Sequence, residues 1–392
     1  MIKHAYPILL ALALTACSIE VTGITPAATV PGAPSSLESP VPSTTALHTA
    51  ATNAGTPGVE PTGLPPDSTG GFVIPVTWGD LGLSGKIVFT AGRQGVDELD
   101  LSTGQVTRMF RTPDPEMSWV IGQSVSPDGR EMVMAFAPPP PPGQTQTGYT
   151  DLVIVPTDGS AEPEPLVERK DPDEDFIWPT WSPDGKFVYY VHISPPEENS
   201  FLSHFVIERL PYPDRQPEAI VENAIWPRLS SDGSRLAYVV YDTVTAAQSL
   251  YTANADGTDA RHIELPSSFI SIDSPMFSPD NEWILFSGIT QGFSDAPSPS
   301  WLDRLLGVQA AFANGAPADW WRIPVDGGNP EKLTSILDLG MYGTFAPDGR
   351  HVAYSSYTGL FVMNPDGSDI VQLLGIENIP GTIGQATVDW LP

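Results

Sequence analysis

Residues 180–191 read TWSPDGKFVYYV, and close copies stand at 124–135 (SVSPDGREMVMA), 228–239 (RLSSDGSRLAYV), 276–287 (MFSPDNEWILFS) and 344–355 (TFAPDGRHVAYS). Self-similarity at intervals of roughly 20 to 50 residues marks a stacked or closed array, in which each unit buries its apolar faces against its neighbours. Within the unit, Pro presets φ at the first corner position, Asp suits the second, and Gly supplies a positive φ where the chain re-enters a strand. The corner therefore joins two antiparallel strands. Beyond it the copies align in columns: Met132, Val188, Leu236, Ile284 and Val352; then Val133, Tyr189, Ala237, Leu285 and Ala353; then Met134, Tyr190, Tyr238, Phe286 and Tyr354. A half-exposed strand would alternate, so successive apolar positions mean that both strand faces are covered.

Each unit continues into another strand and a Gly-containing corner: LVIVPTDG from Leu152, LYTANADG from Leu250, WWRIPVDG from Trp320 and LFVMNPDG from Leu360. Short outer strands follow, as in EPLV, RHIEL, EKLTS and VQLL. Four strands per unit with both faces buried describe a propeller blade. The segment GKIVFTAGRQGVDELDLSTGQVTRMF, from Gly85, holds the later strands of a blade but has no corner before them. The chain ends in ATVDWLP, where Asp389-Trp390 followed by Pro392 mirrors Thr180-Trp181 followed by Pro183. The C-terminus is assigned the missing innermost strand, with FVIPVTW from Phe72 as the competing candidate. The expected fold is all-β, a six-bladed propeller of four-stranded antiparallel blades closed by the C-terminal strand.

The Ser-Pro-Asp-Gly corner, the apolar columns and the Leu-Tyr-type strand with its Asp-Gly turn resemble the WD-like repeats of the TolB propeller superfamily over about residues 85 to 392. The resemblance implies fold more than function. TolB carries an N-terminal α/β domain and works with the Tol-Pal envelope proteins, whereas a low-complexity segment takes that place here. Similar repeats cover prolyl-oligopeptidase-type peptidases, whose hydrolase domain has no counterpart in this sequence.

The net charge of -29 arises from 47 acidic residues set against only 18 Lys and Arg. Such a surface repels phosphate backbones, which argues against nucleic-acid binding. The single cysteine, Cys17, follows MIKHAYPILLALALTA, so no disulfide forms within the chain. A short basic start, an apolar run from Ile8 to Leu14 and a small residue at 16 describe an export signal over 1–16. Leu14-Thr15-Ala16-Cys17 resembles a bacterial lipobox, which implies lipidation of Cys17 and a membrane anchor. Residues 17–71 hold this cysteine and a Pro-, Ser-, Thr- and Ala-rich tether that cannot bury enough apolar surface to fold; the propeller takes 72–392.

Catalytic and metal motifs are absent: there is no HExxH, CxxC, GxSxG or phosphate-binding Gly loop. Asp171, Asp173 and Asp175 in DPDED have the alternate spacing of a calcium loop, but Phe176 replaces the required Gly and Ser182 the closing Glu, so calcium is a weak candidate. Trp178-Pro179 and Trp226-Pro227 occupy equivalent places and suit either ligand stacking or inter-blade packing. The loops between second and third strands are swollen at APPPPPGQTQTGYT, at SPPEENSFLS and from Gly288 to Ala318. The last of these contains PSWLDRLLGVQAAF, in which Trp301, Leu302, Leu305, Leu306 and Val308 form one side of a short helix. The expected binding rim therefore comprises Trp178, Trp226, Trp301, Asp171, Asp173 and Asp175, without catalytic residues, metal or cofactor. The reading is a monomeric, lipid-anchored extracytoplasmic protein, facing the periplasm or the cell surface, that recognises an envelope protein, peptide or glycan. A propeller lyase or hydrolase with residues at the channel mouth is the alternative.

Overall fold

The computed structural model describes residues 71–141, 143, 149–195, 203–242, 245, 247–291, 317–376 and 387–392. Cys17, Trp301 and the helix expected in blade five lie outside them. Blade one contains β1 (Phe72–Val73), β2 (Lys86–Thr90), β3 (Gly95–Asp100) and β4 (Gln105–Arg111). Blade two holds β5 (Trp119–Val125), β6 (Glu131–Ala137), β7 (Asp151–Pro156) and β8 (Glu164–Val167), and blade three β9 (Asp175–Trp181), β10 (Phe187–Ser194), β11 (His204–Pro211) and β12 (Glu218–Glu222). Blade four is β13 (Ala224–Leu229), β14 (Arg235–Tyr241), β15 (Gln248–Asn254) and β16 (Arg261–Ile263). Blade five is β17 (Phe269–Phe277), β18 (Trp283–Thr290), β19 (Asp319–Pro324) and β20 (Glu331–Lys332). Blade six is β21 (Tyr342–Phe345), β22 (Val352–Ser356), β23 (Gly359–Met363) and β24 (Val371–Gly375), after which β25 (Val388–Leu391) returns to blade one.

Blade one has the order β1-β4-β3-β2-β25, so the C-terminal strand is innermost. Lys86, Ile87, Val88 and Phe89 pair antiparallel with Leu391, Trp390, Asp389 and Val388. FVIPVTW takes the opposite place: Phe72 and Val73 pair with Val106 and Gln105 and add a short fifth strand at the outer edge. In the inner place Val388 and Trp390 are buried, whereas Val73 at the outer edge is 66% exposed.

The columns pack as their composition requires. Met132, Val188, Leu236, Ile284 and Val352 are each 0% exposed, and Val133, Tyr189, Ala237, Leu285 and Ala353 are buried beside them. Blade faces thus cover one another, each burial removing apolar area worth roughly 25 cal/mol per Å².

The corners repeat one hydrogen-bonded device. Ser126, Ser182, Ser230 and Ser278 donate their hydroxyls to Asp128, Asp184, Asp232 and Asp280 at 2.5–2.7 Å. Each serine oxygen also accepts the backbone N–H that starts the next strand, at 2.9–3.0 Å. Gly129, Gly185, Gly233 and Gly349 take positive φ, and Asn281 substitutes at φ 58 where the copy reads PDN.

Removing Thr387–Pro392 should abolish the single cooperative melting transition, because it leaves β2 with an unpaired inner edge and opens the ring. Removing Phe72–Val73 should cost no more than about 1 kcal/mol. Thermal denaturation followed by circular dichroism of the two truncations tests this difference.

Candidate functional site

The six innermost strands surround the propeller axis, and three of them carry a bulge at the same place. Trp178-Pro179 together oppose Tyr190, and the register of β13 on β14 and of β17 on β18 shifts likewise at Trp226-Pro227 and Ser274-Pro275. Proline has no N–H to lend a ladder, which suits it to a bulge. The preceding residues Trp178, Trp226 and Ser274 adopt φ of 51°, 59° and 50°. This left-handed backbone is costly for a bulky side chain and persists only where packing holds it.

That packing is an aromatic stack. The indoles of Trp178 and Trp226 lie 3.6 Å apart at 20°, and Trp226 also meets Tyr342 of blade six at 5.8 Å. Both tryptophans are buried, so they take the inter-blade role and not the expected place on an open binding rim. Trp226 Nε1 donates to Asp273 Oδ1 at 3.1 Å, joining blades four and five.

Other polar groups join the remaining blades. The Thr387 hydroxyl accepts the Gln123 N–H at 2.6 Å and donates to the Gln123 carbonyl at 2.9 Å, tying blade one to blade two. The Trp181 backbone N–H donates to Ser124 Oγ at 3.1 Å between blades two and three, and the Gly343 backbone N–H to Ser274 Oγ at 3.2 Å between blades five and six.

One layer nearer the PDG corners, Ser124, Thr180, Arg228, Met276 and Thr344 each stand two residues before the corner Ser or Ala, with Asp389 in the matching place of blade one. Arg228 reaches past blade five to donate to the Tyr342 hydroxyl and, at 3.3 Å, to the Gly343 carbonyl. Its guanidinium lies 5.1 Å from the centre of the Tyr342 ring. Asp389 Oδ2 accepts the Val125 N–H at 3.0 Å.

These surroundings set the acidities. Burial pushes Asp273 up to about 7 against the opposing hydrogen bond from Trp226. Burial likewise raises Asp389 to about 6, with the charge of Arg228 and the Val125 N–H pulling the other way. Asp389 keeps some exposed surface, yet it lies deep enough that loss of hydration outweighs both partners.

The acidic cluster is not gathered. Asp171 and Asp173 are exposed, Asp171 Oδ1 accepting the Asp173 N–H at 2.9 Å. Asp175 is buried, where Oδ1 accepts the N–H and hydroxyl of Thr150 at 2.8 and 2.5 Å. Since Asp175 turns inward to blade two, the three carboxylates of the weak calcium candidate do not face one common point. Among the described residues no group of three or more His, Cys, Asp or Glu side chains could hold a metal ion. Sequence reasoning missed the Arg228–Tyr342–Asp389 group; the position two residues before each corner was the available signal, and its side chains vary from blade to blade.

The chain is a six-bladed propeller of four-stranded antiparallel blades, and its fold is similar to that of TolB. TolB from Acinetobacter baumannii superimposes with a TM-score of 0.51 at 15% identity, over 78% of this chain and 66% of that one. A chain assigned to TolB of Agrobacterium tumefaciens gives 0.48 at 19% identity, over 79% and 98%. A chain of a nidogen/laminin complex gives 0.51 at 9% identity, over 77% and 97%. At these identities the likeness is one of fold. No protein-family model and no curated protein matches the sequence.

Asp273 and Asp389 bind a proton in the folded chain at a pH where an unfolded aspartate, with its value near 4, has lost it. Folding stability should therefore fall as pH rises from about 4 through 7, by an amount on the order of 1–4 kcal/mol. Asp273→Asn should flatten this dependence, and Trp226→Phe, which removes the donor to the carboxylate, should steepen it. Melting temperatures measured between pH 5 and 8 on the three proteins test the assignment.

Proposed function

We propose that this chain is an extracytoplasmic, lipid-anchored binding or scaffold protein, a monomer that recognises an envelope protein, peptide or glycan through the rim carrying the second-to-third strand loops. The observation that carries this reading is a set of exposed aliphatic side chains at blade junctions. Ile270, Leu337 and Ile376, exposed by 48%, 38% and 44%, stand at the successive junctions into blade five, blade six and blade one, which return to that rim. Exposed apolar side chains grouped in this way suit an interaction surface. Two others, Val73 and Val76, exposed by 66% and 39%, stand by the β3–β4 turn at Gly104 on the opposite rim. There the corner carboxylates accept hydrogen bonds from their own turns, as Asp128, Asp184, Asp232, Asp280 and Asp348 do from the N–H two residues on. Loops on a rigid scaffold carry recognition at little cost to stability.

A second reading has one specific support, the convergence of Arg228, Tyr342 and Asp389 in the channel, which offers a cation and an acid to a substrate entering from the corner side. Against it, the channel groups are largely engaged with one another across blades.

The double variant Ile270→Asp with Leu337→Asp should keep the parental melting temperature and lose partners cross-linked to the wild-type protein in native membranes. Arg228→Lys should retain them. Loss in the second and retention in the first would overturn the rim assignment in favour of the channel. Separately, Cys17→Ser should move the protein from the membrane to the soluble fraction on cell fractionation; retention in the membrane would remove the lipid anchor from this reading.

A further inference from the structure

Blade three carries a histidine held between two glutamates from different elements, at the end of its second strand nearest the swollen loops. His192 Nδ1 lies 3.0 Å from Glu208 Oε1 on β11, and Nε2 lies 3.6 Å from Glu174 Oε1 in the connection that leads out of blade two. The other oxygen of each glutamate is also engaged. Glu208 Oε2 accepts the Tyr190 hydroxyl at 2.5 Å, while Glu174 Oε2 accepts the backbone N–H groups of Lys170 and Asp171 at 2.6 and 3.2 Å.

We propose that His192 is a proton-operated latch, which fastens the connection 170–174 to blade three and so controls how firmly the rim is held between blades two and three. A neutral imidazole carries one N–H and no charge, so it serves only one of two flanking carboxylates, whereas the protonated ring donates to Glu208 and attracts Glu174 by charge. The shorter contact keeps the hydrogen on Nδ1, so on deprotonation the lone pair of Nε2 faces Glu174 and that contact opens. Because the same glutamate holds the Lys170 and Asp171 N–H groups, its release loosens the whole turn. The latch stands on this geometry whatever the rim binds.

The other polar groups around the imidazole are accounted for element by element. From β10 come Tyr190 and the Ser194 hydroxyl, 3.5 Å from Nε2; from β11 comes Glu208. The Phe176 ring of β9 packs 4.9 Å from the imidazole, and Asp175 beside it is turned to Thr150. The connection contributes Glu174 and Lys170, and on the blade-two side Arg169 is paired with Asp151 at 2.9 Å. Burial opposes a charge on His192, but the hydrogen bond and charge of Glu208, with Glu174 behind them, prevail and raise its pKa. The latch is therefore fully closed below the unfolded value near 6.5 and opens as pH rises through the folded one. Asp175, raised by burial to about 6, titrates close by and must be separated from it.

Amide hydrogen exchange of the full chain at about pH 5.5 and pH 8, corrected for intrinsic rates, reads the latch through the Lys170 and Asp171 amides. Their protection should fall several-fold at the higher pH while the blade-three strands change little. His192→Gln should give the low protection at both pH values. Glu174→Gln, at a half-buried site and still able to accept both N–H groups, should also remove the step, and it carries the test if the histidine variant does not fold. Asp175→Asn should retain the step. No step in the wild type, an unchanged step in both His192→Gln and Glu174→Gln, or a step lost in Asp175→Asn would overturn the proposal.

Discussion

The pairing of Val388–Leu391 with Lys86–Phe89 is the constraint on which the remaining structure depends. A blade buries both faces only when it has a neighbour on each side, so an open row would leave two apolar faces in water. Closure removes both at once. It also places Trp390 Nε1 2.9 Å from the Ser84 carbonyl and brings Thr387 against Gln123 of the next blade. The last few residues of the chain thus complete one sheet and fasten it to a second.

Inside the ring, backbone strain and side-chain packing are two sides of one arrangement. The bulges at Trp178-Pro179 and Trp226-Pro227 force left-handed backbone on large residues, and the indole stack that results spans blades three and four. Asp273 and Asp389 are buried at a cost that their raised pKa values record, and single hydrogen bonds from Trp226 and Val125 offset part of it. Such groups hold neighbouring blades in one register, since sliding a blade would leave a carboxylate without its donor. A channel engaged in this way makes a rigid support.

The two rims are built differently. On one, Ser and Asp side chains close short corners on themselves. On the other stand the junction side chains Ile270, Leu337 and Ile376 and the His192 cluster. His192 sits where a glutamate of the connection and a glutamate of the blade meet, and that placement lets protonation act on the rim without disturbing the apolar columns.

Fold and blade count were legible in the sequence because they rest on local rules repeated five times: a corner that only certain residues can turn, followed by positions apolar on both faces. The C-terminal closure was legible as well, through the likeness of Asp389-Trp390 to Thr180-Trp181. Other features depend on which side chains meet across blades, and sequence spacing does not encode that. Trp178 and Trp226 suited either a ligand or a packing role until their indoles were found stacked. Asp171, Asp173 and Asp175 share a spacing, yet β9 begins at Asp175 and turns it inward to Thr150. Arg228, Tyr342 and Asp389 come from blades four, six and one, and His192 meets Glu174 and Glu208 only after blade three has folded beside the connection. Repetition along the chain determined the architecture, whereas the chemistry of the channel and rim was decided by ring closure, which sets distant residues side by side.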